Sequence, residues 1–436
     1  MSTNSKSKLC SKVIYFDNNS TTLMCKPALQ NFTKWLSCYN PSSDSKIAKP
    51  SKKLLEMAID DLLNRCGTST ATHRVIFTSG ASESNCLIIK SCVRAYKKKL
   101  IEKNRDTKPH IIASAMEHHS IMDCLYHLEK DGDIEVSYVE PRIFGNIIAS
   151  DVEKLIRDNT CLITVMYANN EIPIINNVEL IGDMAHKYKI PLHSDCVQIF
   201  GKYKIDMKAS KLDAISISAH KFYGPKGTGA LILCNDLIEG YGLSAEINGS
   251  QQNGLRGGTE NVAGIASMMA ALVHTFNGRK IKNQKLWKLR THMISKLSEI
   301  FYVADFTIYV DINSESKRPP LELVFLGPPE DKKEFVLPNT ILLSIAKNKG
   351  KPFCNIELKK YLDSKNVVVS VGSACLTSSP TASHVLSAIK APPVIKRGVL
   401  RISFGDSNTI SEVDEFVKLF KAGVQKQCSD IEEIIE

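Results

Sequence analysis

Short apolar runs alternate along this chain with stretches of helical spacing, and most of the apolar runs end in polar residues. Six runs predict strands, at residues 75–77, 110–114, 162–166, 191–195, 214–218 and 230–233. Leucines, isoleucines and alanines at helical spacing between residues 50 and 66 predict a packing helix that stops at Gly67. Strands that alternate with helices predict an α/β domain with a mostly parallel sheet, whose ligands bind beyond the carboxyl ends of the strands.

Side chains with useful chemistry follow several of these predicted strands. They are His118, Asn170, Asp195, Gln198, His220 and Lys221. Taken alone, Lys221 fits a solvated lysine at a strand end as well as a buried lysine of lowered pKa that forms a Schiff base with a carbonyl cofactor. Because the strand ends share one sheet edge, we expect all six side chains to meet in one crevice.

Two turns rich in small residues could hold an anion. The first, residues 79–83 with Gly80, Ala81 and Ser82, joins a strand to a helix start, where free backbone N–H groups and the positive end of the helix dipole suit a phosphate. An ordinary helix cap has the same pattern, so both interpretations stay open. The second turn, residues 254–261, leads into an apolar helix and contains Thr259.

The last third of the chain predicts a connecting helix at 281–300 and further strands at 337–344 and 367–371. Residues 314–333 are rich in Pro, Lys and Glu and predict an exposed excursion. Cys375 lies in a loop rich in Gly, Ser and Thr, which favours a reactive thiol over a buried structural one. Arg401 stands among apolar neighbours and requires an anion, either a bound carboxylate or a structural Asp or Glu.

Composition narrows the function classes. The chain has 436 residues, of which 43% are hydrophobic and 23% charged, as in a soluble globular protein. Its net charge of +10 is scattered, which disfavours a nucleic-acid partner. Thirteen cysteines without a Cys-x-x-Cys pair disfavour a disulfide scaffold or zinc site and favour a reducing compartment. No apolar run reaches the ~20 residues that span a membrane. We expect a cytoplasmic protein, with an organellar address still open.

Eight motifs in one order resemble those of the cysteine desulfurases, the NifS/IscS-like branch of the class V aminotransferases, which are fold-type I pyridoxal-phosphate enzymes. The motifs are residues 79–84, 117–118, 169–171, 195–198, 218–227, 256–261, 372–375 and Arg401. The resemblance implies an α/β fold with a mostly parallel sheet in a large cofactor-binding domain, residues 25–279. A smaller α+β domain would combine 13–24 with 280–436, and residues 1–12 would be a flexible tail.

The resemblance also implies a role for each site residue. Lys221 would hold pyridoxal 5'-phosphate as a Schiff base, Asp195 would bond its ring nitrogen, and His118 would stack on the ring. The other implied cofactor contacts are Gly80, Ala81, Ser82, Ser218 and His220 around the phosphate, Thr259 of a second subunit, and Asn170 and Gln198 near the ring hydroxyl. Arg401, with Asn170, would bind the substrate carboxylate.

The implied reaction converts L-cysteine to L-alanine and leaves a persulfide on Cys375, which an acceptor such as an iron–sulfur scaffold protein would receive. No resident metal is expected, although Cys375 could ligate a cluster transiently during transfer. Thr259 implies a homodimer. Selenocysteine lyase, or a non-catalytic binding platform of the same fold, are the alternatives.

Overall fold

The computed structural model describes residues 13–310, 318–349, 351–371 and 383–428. Cys375 and the tail predicted at residues 1–12 therefore lie outside the described residues. The strands are β1 (Ile14–Tyr15), β2 (His73–Thr78), β3 (His110–Ser114), β4 (Glu135–Val139), β5 (Thr160–Thr164), β6 (Leu192–Asp195), β7 (Ala214–Ser218), β8 (Gly229–Cys234), β9 (Val303–Ala304), β10 (Leu321–Leu326), β11 (Thr340–Lys347), β12 (Val367–Val368) and β13 (Val399–Ser403).

Helices cover both faces of the strands and fill the connections. They are α1 (Lys26–Trp35), α2 (Lys49–Arg65), α3 (Ala81–Glu102), α4 (His119–Lys130), α5 (Ala149–Glu153), α6 (Val178–Lys187), α7 (Asn235–Glu239), α8 (Val262–Phe276), α9 (Arg279–Ser298), α10 (Thr307–Val310), α11 (Asn355–Asp363), α12 (His384–Ala388), α13 (Pro393–Gly398) and α14 (Ile410–Gln427). None of these helices combines the length and the apolar character that a bilayer crossing needs.

The main sheet has seven strands in the order β2-β8-β7-β6-β5-β3-β4. All neighbours are parallel from β7 to β4, whereas β8 runs antiparallel to both β7 and β2. Two antiparallel steps cancel, so β2 points the same way as β7. The carboxyl ends of β2, β3, β5, β6 and β7 therefore share one edge, as the alternating pattern predicts. The mostly parallel α/β class is confirmed.

A second sheet of four strands, in the order β13-β11-β10-β9, lies later in the chain. Its strand β10 corrects the exposed excursion predicted at 314–333, because Leu321, Leu323, Val324 and Leu326 are each at most 2% exposed. The flanking Pro and Lys residues dominated the prediction, while the apolar run LELVFL formed an interior strand. Its one charged side chain, Glu322, is buried against the Tyr309 hydroxyl and the Asn348 amide.

The four-stranded sheet is buried on both faces. One face joins the large core around the main sheet, where Val324 and Leu342 pack. The other face forms a second core in which Ile14 and Phe16 pack with side chains from α9, α11 and α14. The first strand of the chain thus associates with its last third. The domain boundaries near residues 24 and 280 stay a prediction.

Candidate active site

The shared edge of the main sheet encloses a cavity of about 620 Å³, which we call the active-site cavity. Of the residues predicted from the sequence, it is lined by Gly80, Ala81, Ser82, His118, Asn170, Asp195, Gln198, Ser218, His220, Lys221 and Arg401. Thr259 is exposed and does not line the cavity of this protomer. Cys375 lies outside the described residues. Asn19, Ser20 and Thr21, from the polar loop after β1, also line the cavity.

Lys221 lies one short helical turn beyond β7, and its ammonium nitrogen donates a hydrogen bond to the carbonyl of Asn19. Burial and, to a lesser extent, the charge of Arg401 lower its pKa to about 8, against the opposing effect of Asp195 and Asp17. A lysine of this kind reaches the neutral, nucleophilic amine at a much lower pH than an exposed lysine. It can therefore both attack a carbonyl and carry a proton near neutral pH.

Asp195 ends β6 and is 4% exposed. One of its oxygens accepts from the Asn85 amide at 2.9 Å, and the other accepts from the backbone N–H of Val197 at 3.0 Å. These bonds fix the carboxylate at the bottom of the cavity and leave it lone pairs for a further donor. A protonated ring nitrogen is such a donor.

His118 caps the start of α4, where its Nδ1 accepts from the backbone N–H of Ser120 at 3.1 Å. The hydrogen of the neutral ring therefore sits on Nε2. Burial lowers the pKa of His118, and the charges of Lys221, His119 and His384 also lower it, while Asp195 raises it. The ring is thus held neutral and in one orientation beside Asp195, which suits a face that stacks on an aromatic group.

The opposite end of the cavity can hold an anion. The first turn of α3 presents Ala81 and Ser82, and Ser218 and His220 line the same end. A side chain at Gly229 would lie 2.6 Å from both the Gly80 Cα and the Ile217 carbonyl, so this close approach of two turns requires glycine. Unpaired N–H groups at a helix start and hydroxyls are the usual ligands of a phosphate.

Gln198 and Asn19 connect the cavity to the loop after β1. The Gln198 amide donates to the Asn19 carbonyl at 3.1 Å, the same oxygen that accepts from Lys221. The Gln198 Oε1 atom is buried and has no hydrogen-bond partner. An unpaired buried acceptor is costly in a folded protein, and here it faces a cavity that a hydroxyl-bearing ligand could fill.

Arg401, on β13, reaches the cavity from the second sheet with 5% of its surface exposed. Its terminal nitrogens donate to the Asp17 carboxylate and the Ser20 hydroxyl, each at 2.7 Å, and to the Asn170 carbonyl at 2.8 Å. Both interpretations of this arginine from the sequence thus have a basis. It has a structural acidic partner in Asp17, and its Nε–H is buried without a partner, which leaves a donor for a bound carboxylate.

Glu117 precedes His118 in the motif at residues 117–118, but the sequence predicts no function for its side chain. Its Oε1 accepts from the Ser114 hydroxyl at 2.5 Å and from the Met166 N–H at 2.7 Å, while its Oε2 is buried without a partner. Burial raises its pKa to about 8. Glu117 therefore holds its proton at neutral pH and braces two strand ends of the cavity wall.

These features together fit a phosphorylated, hydroxylated pyridine aldehyde. Lys221 offers the amine, Asp195 a carboxylate for the ring nitrogen, Gln198 an unpaired acceptor for the hydroxyl, and the α3 start a phosphate cradle. The described residues contain no cluster of His, Cys, Asp or Glu suited to a metal ion.

Comparison with known proteins supports this chemistry. The family model of class-V aminotransferases matches residues 14–320. The chain is 32% identical over 422 residues to cysteine desulfurase IscS of Methanosarcina thermophila, covering 95% of this chain and 93% of that protein. A solved NifS-like protein superimposes with a TM-score of 0.78 at 27% identity, covering 95% of this chain and all of that one. SspA, solved in complex with cysteine, gives 0.68 at 29% identity, covering 90% and 98% of the two chains.

Proposed function

Because this chain belongs to the class-V aminotransferases and, within them, to the cysteine desulfurases, we propose that it removes sulfur from L-cysteine with pyridoxal 5'-phosphate as cofactor. The observation that carries the proposal is the meeting of Lys221, Asp195 and His118 in one cavity beside an anion cradle. The structure of SspA with cysteine supports L-cysteine as substrate.

The cofactor would be held by the residues already described. Lys221 would bind its aldehyde, Asp195 its ring nitrogen and Gln198 its hydroxyl, while Ser82, Ser218 and His220 would contact the phosphate. When bound, pyridoxal phosphate supplies an electron sink that weakens the bonds to the substrate α-carbon. The protein's contribution is to orient the substrate, keep the charges paired and move protons.

Lys221 is the proposed proton carrier at the α-carbon. Its amine must be neutral to accept a proton, and a pKa of about 8 makes a substantial part of the population neutral at physiological pH. The Asn19 carbonyl, which accepts its hydrogen bond, holds the nitrogen at the floor of the cavity. His118, neutral and with its hydrogen on Nε2, is available as a hydrogen-bond donor without adding a positive charge.

Arg401 is the proposed anchor for the substrate carboxylate. The buried Nε–H has no partner, so a carboxylate that binds there satisfies a donor that is otherwise desolvated at a cost. The adjacent terminal nitrogen is engaged by Asp17. Substrate binding therefore places two carboxylates on the Arg401 guanidinium, one from the substrate and one from Asp17. The bond to Asp17 fixes the plane of the guanidinium.

Cys375 is the proposed sulfur acceptor. Its thiolate would attack the sulfur of the substrate, forming a persulfide on the protein, while the substrate carbon takes a proton and leaves as L-alanine. We propose that the persulfide sulfur then passes to a protein acceptor of iron–sulfur cluster assembly. A homodimer, in which Thr259 completes the phosphate site of the other subunit, is part of the same proposal.

The test measures alanine and protein-bound persulfide from L-cysteine for the wild type, Cys375→Ser and Lys221→Ala, each loaded with cofactor. We expect the wild type to form both products in the presence of a thiol reductant. Cys375→Ser should bind cofactor normally but form neither product from cysteine, and Lys221→Ala should lose roughly 10³-fold or more in rate together with the visible absorbance of the bound cofactor.

Alanine from Cys375→Ser at the wild-type rate would disprove its role as sulfur acceptor. Lys204, an exposed lysine whose side chain is 68% accessible, provides the matched control, because Lys204→Ala should change neither product. A parallel assay with L-selenocysteine distinguishes the desulfurase from the alternative function, selenocysteine lyase. Turnover of selenocysteine alone, with no alanine from cysteine, would replace the desulfurase proposal.

A further inference from the structure

A second, much smaller cavity also borders Lys221. It holds about 30 Å³ and is lined by Lys202, Lys221, Tyr223, Lys282 and Asp406, among others. We call it the rear cavity. Its volume is enough for one or two water molecules, and several polar groups line it, as a buried water requires. Lys221 is the lysine that borders both cavities.

Lys202 is fixed in this position by the backbone around it. Its ammonium donates to the Gln198 carbonyl at 2.7 Å, and the Asn283 amide on α9 donates to the Lys202 carbonyl at 2.7 Å. The preceding Gly201 has a φ of +82°, and a side chain there would come within 2.5 Å of Thr275 on α8. The turn is thus packed tightly against α8, which fixes the backbone at Lys202.

The charged groups that surround the rear cavity are largely paired with one another. Asp406 accepts from Lys282 at 2.7 Å, from His274 at 3.1 Å and from the Tyr223 hydroxyl at 3.0 Å. Arg279 lies over the Phe276 ring. Lys202 has no direct bond to this carboxylate, so burial and the charge of Lys221 lower its pKa to about 7, with Asp406 opposing them from a distance.

We propose that Lys202 is a proton-exchange partner of Lys221, connected to it through water in the rear cavity. The inference rests on the proposed role of Lys221 as the proton carrier. After Lys221 has taken a proton, its –NH₃⁺ gives one proton to the water and the water gives one to the neutral amine of Lys202. Lys221 returns to –NH₂, Lys202 becomes –NH₃⁺, and the latter loses its proton to solvent.

Two properties of the site make this exchange possible. The pKa of Lys202, about 7, lies only one unit below that of Lys221, about 8, so the transfer to Lys202 is uphill by a factor of about ten in its equilibrium constant. Water in the rear cavity would also not compete with the substrate, which occupies the active-site cavity during turnover. Lys202 acts through Lys221 and does not touch the substrate.

Two simpler roles would give Lys202 the same position. It could only cap the turn at Gln198, in which case Gln, which keeps an N–H donor, should replace it. It could only provide a fixed positive charge, in which case Arg should replace it. A proton-exchange role is restored by neither, because Gln does not titrate and Arg stays protonated.

The first experiment does not depend on catalysis. In cofactor-free protein with ¹³C,¹⁵N-labelled lysine, the side-chain signals of Lys202 are assigned from their loss in Lys202→Arg and titrated by NMR. We expect Lys202 to titrate well below an ordinary lysine and its pKa to rise when Lys221→Ala removes the neighbouring charge. An ordinary pKa, or one indifferent to Lys221→Ala, would overturn the proposal.

The second experiment uses the cofactor-loaded enzyme and L-cysteine deuterated at the α-carbon. If Lys202 drains the proton of Lys221 to solvent, Lys202→Gln and Lys202→Arg should both retain several-fold more of the deuterium in alanine. Their kcat should fall by about tenfold to 10²-fold, at or below the lower end of what a positioned acid–base group contributes. Wild-type deuterium retention in either variant would instead assign Lys202 to capping or to fixed charge.

Lys204→Gln is the matched control, since this neighbouring lysine is exposed and should leave both readouts unchanged. The two proposals fail in different ways. If wild-type enzyme makes no alanine, the desulfurase proposal fails, while the titration still tests whether the two lysines face one another.

Discussion

The active-site cavity and the rear cavity meet at Lys221 but differ in size and in how their charged groups are paired. The active-site cavity holds about 620 Å³ and leaves Gln198 Oε1 and Arg401 Nε buried without partners. The rear cavity holds about 30 Å³, and although Asn339 Oδ1 is also buried there without a partner, its carboxylate, Asp406, has three side-chain partners. A protein tolerates unpaired buried atoms where a ligand will satisfy them.

This difference separates the groups that bind ligands from the groups that hold the site together. Groups in the active-site cavity should determine affinity for substrate and cofactor, whereas the ion network behind Lys221 should determine how firmly the site is held together. The distinction can be tested, because substitutions on the two sides should affect different measurements. A substitution of a ligand-binding group in the active-site cavity should change KM more than stability, and a substitution in the ion network behind Lys221 should do the reverse.

The largest effect should come from Arg401→Lys in the active-site cavity. Lysine keeps the positive charge beside Asp17 but loses the planar set of donors that binds a carboxylate at two points. We expect KM for L-cysteine to rise by about tenfold to 10²-fold, with a smaller change in kcat, and the urea midpoint to fall only as far as the lost bonds to Ser20 and Asn170 require. Steady-state kinetics and urea unfolding of the same preparation measure both.

Arg397→Lys provides the control for this change, since Arg397 is an exposed arginine on α13 and should keep the wild-type KM. If Arg401→Lys leaves KM unchanged but lowers stability, Arg401 is the structural partner of Asp17 and the substrate carboxylate binds elsewhere.

A smaller effect, of the opposite kind, should follow from Asp406→Asn behind Lys221. The amide still accepts from Tyr223, but it no longer balances the charge of Lys282. Asp406 is 25% exposed, so the expected loss of unfolding free energy is about 1–2 kcal/mol, between the values for exposed and buried ion pairs. Urea unfolding of cofactor-free protein measures it, and KM should stay near the wild-type value.

The matched control is Asp414→Asn, which removes an ion pair with His292 in which the aspartate is 53% exposed. Its cost should be below ~0.5 kcal/mol. Equal losses in the two variants would mean that the Asp406 network contributes no more than a surface pair, and the contrast between the cavities would fail.

The sequence predicted the active-site cavity far better than the rear cavity, for a physical reason. Parallel strands bring their carboxyl ends to one edge, so residues such as His118, Asp195 and Lys221 could be placed together from local patterns alone. Lys202 follows a glycine in a turn, and nothing in its neighbourhood distinguishes it from a surface lysine. Its position depends on α8 and α9, since Thr275 lies against Gly201 and Asn283 bonds the Lys202 carbonyl, 74 and 81 positions later.

The second sheet shows the same limit of local sequence patterns, here for a segment predicted to be exposed that is buried. Residues 321–326 formed an interior strand although the surrounding Pro, Lys and Glu predicted exposure. Glu322 became acceptable inside because Tyr309 and Asn348 reach it from other elements. Local composition could not reveal these partners. Conversely, the polar loop after β1 had a visible pattern, but its use as the acceptor for Lys221 depends on a contact across 202 positions.

The last comparison concerns how stability changes with pH, and it sets an acid in the wall of the active-site cavity against an amine behind it. Glu117 titrates at about 8 in the folded protein and near 4.3 when unfolded, so the folded state holds the extra proton between these values. The contribution of Glu117 to stability should therefore fall as pH rises across this window, by at most ~1.4 kcal/mol per pH unit, while the lowered pKa values of His110, His193 and His220 oppose it below about pH 6.5. Lys202 contributes the reverse slope above pH 7, because its folded pKa is lowered.

Between pH 5 and 7, Glu117→Gln should make the slope of stability against pH more positive than in the wild type, by up to ~1.4 kcal/mol per pH unit, and it should leave the slope above pH 8 unchanged. Urea unfolding of cofactor-free protein across pH 5 to 9 measures both slopes. Glu129→Gln, at an exposed position on α4, should keep the wild-type profile. A Glu117→Gln profile parallel to the wild type would mean that Glu117 is ionised in the fold, with its second oxygen bonded to a donor or solvated. The wall of the active-site cavity would then contain a buried charge of its own. The contrast with the rear cavity would then depend only on whether the charged groups of each cavity have bonding partners.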